Sequence, residues 1–295
     1  MFLCYVSGMD KSKNYKSLNL DEARMLYGAP DYQYGRSYIS LPGGSLDYLP
    51  AYVVSNERLR YTTGLTRDMG RKILTVAGSG AQPLFYALNG ATKVDTFDVS
   101  YCARAIMDIK VQAIKSGMSY EKYKKLLTDL HFAPSASRVV GMDEILMNIP
   151  GDSAKFVRAM DGYKIFSAGL KPDFYAQEMI SVAEYLRLQK MLTAFFSFVW
   201  TNVTELHAYL TDEYDVINLS NIFEWNPAII RSTLASLRHS VRPGGYILVQ
   251  TGCPVSMHRN MKEYSNISEQ FKDWAKLGLV RDGRDTQVVM LERVR

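Results

Sequence analysis

Short apolar runs and amphipathic segments alternate regularly in the middle of the chain. The β-branched run at 72–77 (KILTVA) predicts a strand that meets a glycine-rich turn, and 82–89 predicts a helix. The segment 93–99 (KVDTFDV) predicts a second strand, and 101–115 predicts a long amphipathic helix. Strand, glycine turn, helix, strand and helix in this order are the pattern of a parallel α/β sheet.

Residues 118–190 interrupt this alternation. Helices are predicted at 120–130 and 178–189, with loops rich in Gly, Pro and Asp between them, so the segment is expected to be an insertion that caps the sheet. Residues 1–70 predict an irregular, partly helical lead-in or cap. The remaining residues, 71–295, are predicted to form the Rossmann-like domain that contains the insertion.

The alternation resumes after the insertion. The further predicted elements are strands at 194–201, 214–220 and 246–251, a helix at 226–241, and a terminal β-hairpin of 277–280 with 286–294. Seven strands with a final antiparallel hairpin predict a doubly wound α/β sheet, in the Rossmann-like variant of the class I methyltransferases.

Composition and charge exclude several classes of function. The net charge of +5 is spread along the chain, without the clustered basic stripe of a nucleic-acid binder. The three cysteines and four histidines show no metal-ligand spacing, so we expect no structural metal. We find no signal peptide, and the most apolar run, 191–203, is too short to span a bilayer. We therefore expect a cytoplasmic protein without a transmembrane segment.

Candidate chemistry lies at the carboxyl ends of the predicted strands, where doubly wound sheets bind ligands. The loop Ala77-Gly78-Ser79-Gly80 allows a ligand to approach the backbone, and the following helix presents N–H groups. Asp98 ends the next strand, where a carboxylate accepts hydrogen bonds from both hydroxyls of a ribose. The alternative is that Asp98 caps the helix that begins at Tyr101.

Two further strand ends carry polar residues. Asn202 and Val203 suit an amide that contacts adenine and an apolar side chain that packs on the ring, although Asn202 equally suits a helix cap. Ser220, Asn221 and Glu224 follow a buried strand, where an amino-acid moiety or a reacting centre is expected to lie. The neighbouring aromatic residues belong equally well to the core.

Three of these motifs resemble the betaine-lipid synthase (BtaA-like) family of 3-amino-3-carboxypropyl transferases. The likeness is carried by L-T-V-A-G-S-G at 74–80, D-T-F-D-V at 95–99 and K-x-x-A-I-K at 110–115. The segments LSNIFEW and VRPGGYILVQTG fit the same family, so the resemblance covers about 52–130 and 195–252. It implies a chain that binds S-adenosylmethionine (SAM).

Carried over residue by residue, the resemblance implies a complete donor site. Ala77, Gly78, Ser79, Gly80 and Gln82 would cradle the methionine moiety, Asp98 with Val99 the ribose, Asn202 and Val203 the adenine, and Ser220 with Asn221 the region near the sulfonium. Arg58 would pair with the methionine carboxylate, although it is equally well explained as a surface arginine.

Two departures from ordinary methyltransferases affect the predicted reaction. Val76 stands where methyltransferases usually carry an acidic residue, as in the aminocarboxypropyl branch, and Ala81 replaces an aspartate that many relatives carry. We therefore expect attack at the γ-carbon of SAM by a small-molecule or lipid acceptor, with release of 5′-methylthioadenosine. Tyr175 would stabilise the cation, Glu224 would serve as the base, and Asn221 would assist at the reacting centre.

Three alternatives remain open from the sequence. In the first, the amine of SAM itself attacks the γ-carbon and forms azetidine-2-carboxylate. In the second, the chain is a conventional small-molecule methyltransferase. In the third, it binds SAM without turning it over.

Overall fold

The structure of the chain is a computed structural model that describes residues 37–41, 44–48, 51–53, 59–133, 135–160, 165–167, 180–192, 195–225, 227–251, 264, 274–281 and 287–294. Its strands are β1 (Ser37–Leu41), β2 (Gly44–Tyr48), β3 (Ala51–Tyr52), β4 (Lys72–Val76), β5 (Lys93–Asp98), β6 (Phe166–Ser167), β7 (Phe195–Trp200), β8 (Tyr214–Asn218), β9 (Val241–Thr251), β10 (Trp274–Arg281) and β11 (Gln287–Arg293).

The α-helices are α1 (Leu59–Gly64), α2 (Ala81–Leu88), α3 (Tyr101–Lys115), α4 (Tyr120–Phe132), α5 (Met142–Leu146), α6 (Gly151–Ala159), α7 (Val182–Met191), α8 (Ile222–Trp225) and α9 (Ile230–Leu237). Short 3₁₀ segments occur at Ala136–Arg138, Leu206–Tyr209, Pro227–Ile229 and Arg238–Ser240. No helix within the described ranges is long and apolar enough to cross a membrane.

The central sheet has seven strands in the order β10-β11-β9-β8-β4-β5-β7. Strand β11 is antiparallel to both of its neighbours, and the pairs formed by β9, β8, β4, β5 and β7 are parallel. The first strand of the sheet in the chain, β4, is central, and the connections run outwards from it in both directions. This is the class I methyltransferase form of the Rossmann-like fold, which confirms the predicted fold class.

Apolar side chains cover both faces of the sheet. Ile73 and Val94 share one core cluster with Tyr86 of α2, whereas Leu74 and Ile217 share another with Leu234 of α9. Successive residues of a strand point to opposite faces, so the near-continuous apolar runs of β4 and β8 are those of strands buried on both sides.

The segment that follows α3 contains more helix than its sequence pattern predicts. Helices α5 and α6 lie where we expected loops, because the residues taken as chain breakers act as caps: Gly141 adopts φ 81° directly before α5, and Pro150 precedes α6. These helices contact α3, and their apolar residues belong to the same core cluster as those of α2 and α3. The Ser153 hydroxyl of α6 donates to Asp108 of α3 at 2.5 Å.

Two predictions for the segment that follows β8 need correction. The helix expected at 226–241 is interrupted, because residues 227–229 and 238–240 form 3₁₀ turns and only Ile230–Leu237 is α-helical. Strand β9 begins at Val241 rather than at Tyr246, because Val241 already pairs with Tyr214. The intervening Pro-Gly-Gly is accommodated by a register shift within the strand pair, instead of forming a turn ahead of it. The terminal antiparallel hairpin is confirmed by the pairing of β10 with β11.

Candidate functional site

The four polar strand ends identified in the sequence lie along one edge of the sheet. Strands β4 and β8 are parallel neighbours from which the connections run in opposite directions, so the topological switch point lies between them. Residues 77–80 leave β4 there beside 219–221, which leave β8. The ends of β5 and β7 continue the same row, because both pair in parallel with this part of the sheet. Doubly wound sheets bind their ligands at this edge.

The two glycines of the loop after β4 serve different purposes. Both have positive φ, 51° for Gly78 and 73° for Gly80, which favours glycine. A Cβ on Gly80 would lie 2.6 Å from the Cα of Met107, so this glycine allows the loop to pack against α3. A Cβ on Gly78 would meet no described atom within 4 Å. Among the described residues, Gly78 is therefore not required by close packing.

The carboxylate of Asp98 joins this loop to the start of α3. The Gly78 N–H donates to its Oδ2 and the Ser100 N–H donates to its Oδ1, each at 2.9 Å. Burial raises the pKa of Asp98 to about 6 despite these bonds. The Val99 N–H also interacts with this carboxylate, so three backbone groups share its roughly four lone-pair sites and at least one site remains for a ligand. That site suits a hydroxyl of a ribose.

Gln82 follows the loop in the first turn of α2. Its side chain is buried, and among the described residues its Nε2 atom has no hydrogen-bond partner. A buried amide donor without a partner costs about 1–3 kcal/mol, so such groups call for an explanation. A carboxylate or carbonyl of a ligand, held at the beginning of α2, would satisfy it. Gln82 thus offers a buried donor beside the loop, and its contact with a ligand stays a prediction.

Backbone strain marks the loop after β8. Ser220 has φ 56°, a left-handed conformation that costs a non-glycine residue about 1–2 kcal/mol. Two buried hydrogen bonds hold it there: the Ser220 N–H donates to Asn218 Oδ1, and the Gln250 N–H donates to the Ser220 carbonyl, each at 2.8 Å. The Asn218 amide in turn donates to the Tyr86 hydroxyl at 2.8 Å.

Sequence reasoning missed Asn218 and Tyr86 as supports of this loop. The one available signal was a polar residue, Asn218, directly after the apolar pair Val216 and Ile217 of the strand YDVIN. Tyr86 reads as an ordinary core residue of α2, and only the fold shows that its hydroxyl reaches β8.

The loop after β7 combines a turn with an aromatic cluster. The Asn202 Oδ1 accepts from the Thr204 N–H at 3.3 Å, so this amide oxygen stabilises the local turn, as its alternative interpretation suggested. Val203 is buried in the core, and its contact with an adenine ring stays a prediction. The Trp200 indole donates to the carbonyl of Val99 at 3.0 Å, and its ring meets Tyr101 edge-on at 6.0 Å.

The remaining predicted site residues divide into described and undescribed ones. Arg58 and Tyr175 lie outside the described residues. Glu224 lies in α8, where its charge, together with burial, raises the pKa of the Tyr264 hydroxyl. Val76 packs against the core and Ala81 is buried. Because both side chains are apolar, neither brings a charged group to this edge.

Comparisons with known proteins give distant structural neighbours only. No family model matches the chain, and no curated protein matches it. Among solved structures, the rRNA methyltransferase aviRa from Streptomyces viridochromogenes is 13% identical with a TM-score of 0.45, over 82% of this chain and 90% of its own. The N-methyltransferase NodS from Bradyrhizobium japonicum, in complex with S-adenosyl-L-homocysteine, is 10% identical with a TM-score of 0.41, over 81% and 88%. The glycopeptide N-methyltransferase MtfA, complexed with SAM, is 10% identical with a TM-score of 0.42, over 82% and 94%.

Proposed function

We propose that this chain is a SAM-dependent transferase whose donor site is the edge formed by the ends of β4, β5, β7 and β8. The observation that carries the proposal is the carboxylate of Asp98. It is held by the loop N–H of Gly78 and the N–H of Ser100, and it keeps the capacity to accept a hydrogen bond from a ribose hydroxyl. A partly buried acid beside a glycine loop at the switch point is suited to a ribose, as in other dinucleotide- and nucleoside-binding sheets of this class.

The other residues of the edge would each bind a different part of the donor. Ala77–Gly80 would pass along the methionine chain, and Gln82 would donate its orphaned amide hydrogen to the methionine carboxylate. Asn202 would direct its amide nitrogen towards the adenine. The strained loop at Ser220 and Asn221 would border the sulfonium. Two of the structural neighbours, NodS and MtfA, are complexes with S-adenosyl-L-homocysteine and SAM, respectively.

We further propose that the group transferred is the 3-amino-3-carboxypropyl chain rather than the methyl group. The resemblance at 74–80, 95–99 and 110–115 supports this choice, and so does Val76 at the position where methyltransferases usually carry an acid. Bound SAM supplies a sulfonium whose γ-carbon is open to displacement. Since the thioether leaves uncharged, the chain needs no acid to protonate it.

The protein's contribution would therefore be to position the reactants in line, about 3–3.5 Å apart. Glu224 would accept a proton from an acceptor that must lose one. The acceptor would be a small molecule or a lipid.

The nucleoside released from SAM tests the reaction. We expect 5′-methylthioadenosine by mass spectrometry when the chain is incubated with SAM and candidate acceptors. Asp98→Asn should lower its rate of formation, whereas Asp129→Asn, on the outer helix α4, should not. S-Adenosylhomocysteine as the product would instead identify a conventional methyltransferase. Methylthioadenosine formed without any acceptor, together with azetidine-2-carboxylate, would identify intramolecular cyclisation.

A further inference from the structure

A lysine lies buried beneath the glycine loop. Lys110, in the third turn of α3, is only 2% exposed, although lysine is almost never fully buried without a paired charge. Its Nζ donates to the carbonyl of Ser79 at 2.7 Å and to the carbonyl of Val53 at 2.6 Å. Burial lowers the pKa of Lys110 to about 7. Both of its partners among the described residues are neutral backbone groups, so the folded chain bears a desolvation cost that simple packing would not require.

The two carbonyls belong to separate parts of the chain. Ser79 lies in the middle of the donor loop. Val53 directly follows β3, which pairs in parallel with β6, and the Ala51 N–H donates to the Ile165 carbonyl at 3.0 Å. One ammonium or amine group therefore fastens the donor loop, through β3, to the segment that follows α3. An amine still has two N–H groups, so both bonds persist whether or not Lys110 is protonated.

We propose that Lys110 is a positioning residue that fixes the glycine loop in its donor-binding conformation. By binding the Ser79 carbonyl, it turns that oxygen towards α3. The oxygen is thereby kept away from the ligand side, where it would repel the carboxylate of the donor. Lys110 acts through the loop and contacts no donor atom. This inference rests on the proposed function, because it concerns the same donor loop.

Two variants of α3 test this role. Lys110→Met keeps the length of the side chain but removes both hydrogen bonds, whereas Ile114→Val removes one buried methylene from the same helix without contact to the loop. Amide hydrogen exchange is measured in the free chain, and S-adenosylhomocysteine affinity by calorimetry. Lys110→Met should raise exchange at the Gly78 and Gly80 amides about 10-fold and weaken binding about 10-fold or more. Ile114→Val should lower the melting temperature and change neither.

The two readouts separate failure of this inference from failure of the proposed function. If the wild-type chain binds no S-adenosylhomocysteine, the proposed donor site is refuted. The amide hydrogen exchange of residues 77–81, compared between the wild type and Lys110→Met, then shows by itself whether Lys110 holds the loop. Unchanged loop exchange in a folded Lys110→Met variant overturns the inference, as does unchanged affinity in a chain that binds. Should Lys110→Met not fold, Lys110→Gln, which keeps a shorter amide donor, provides the same comparison with an intermediate effect expected.

Discussion

Replacing Asp98 by asparagine separates a ligand-binding carboxylate from a purely structural one. The wild-type carboxylate accepts the N–H groups of Gly78 and Ser100, and burial raises its pKa from 3.8 to about 6. Asparagine has nearly the same shape but carries no charge, and its amide nitrogen cannot accept one of the two N–H groups. The variant thus loses one backbone hydrogen bond, the pH-dependent cost of the charge, and one acceptor for a ribose hydroxyl.

The magnitude follows from the pKa of the carboxyl group. Because the folded chain binds this proton more tightly than the unfolded chain, the associated stability is fully present below pH 3.8 and is lost as the pH rises through about 6. The full shift corresponds to about 3 kcal/mol, of which about 1.4 kcal/mol is lost between pH 5 and pH 7. Loss of a charged hydrogen-bonding acceptor should weaken ligand binding by about 1.5–3 kcal/mol, or roughly 10- to 150-fold.

Urea denaturation of both proteins at pH 5 and pH 7, with calorimetry of S-adenosylhomocysteine at pH 7, measures both effects. The free energy of unfolding of the wild type relative to Asp98→Asn should fall by about 1.4 kcal/mol from pH 5 to pH 7. Subtracting the free energy of unfolding of the variant cancels the contributions of the other titrating groups to the pH dependence. If the difference in free energy of unfolding is the same at pH 5 and pH 7, and a folded Asp98→Asn variant binds S-adenosylhomocysteine with unchanged affinity, Asp98 only orders the start of α3 and the reasoning is wrong.

Three further substitutions probe the same edge. Gly80→Ala should destabilise the fold by more than 2 kcal/mol, because its Cβ would lie 2.6 Å from the Cα of Met107, as thermal unfolding will show. Gly78→Ala, whose Cβ meets no described atom within 4 Å, should cost only about 1 kcal/mol of backbone strain but should weaken S-adenosylhomocysteine binding markedly. Gln82→Leu removes the orphaned amide, so the free chain should keep or gain stability while affinity falls roughly 10-fold; equal affinity would show that Gln82 contacts no ligand.

Local patterns predicted the core of the fold because local sequence determines it there. The bounds expected for α3 are those observed, and β4, α2 and β5 differ from their predicted ends by one residue, since apolar runs and glycine turns define them. The segment after α3 was harder to predict, because Gly141 and Pro150 have the composition of loops and only their neighbours show that they begin helices. Val241 joins β9 through pairing with a distant strand, which no local pattern contains.

The candidate site divides in the same way. Asp98 and the glycine loop could be predicted, because their separation along the chain is a property of one βαβ unit. The residues that hold the site in place could not, because their partners are remote: Asn218 reaches Tyr86 across 132 residues, and Lys110 reaches Val53 across 57. The helical spacing of Ile106 and Ile114 around Lys110 places this lysine on the apolar face of α3, but it does not show which groups its ammonium binds.

The fate of an isotopic label in SAM tests most directly which carbon is attacked. SAM labelled in the methyl group and SAM labelled in the carboxyl group are turned over separately, and the nucleoside product is isolated. Displacement at the γ-carbon predicts that the methyl label stays with the nucleoside while the carboxyl label leaves it. Retention of the carboxyl label in the nucleoside, with loss of the methyl label, would contradict the proposed aminocarboxypropyl transfer.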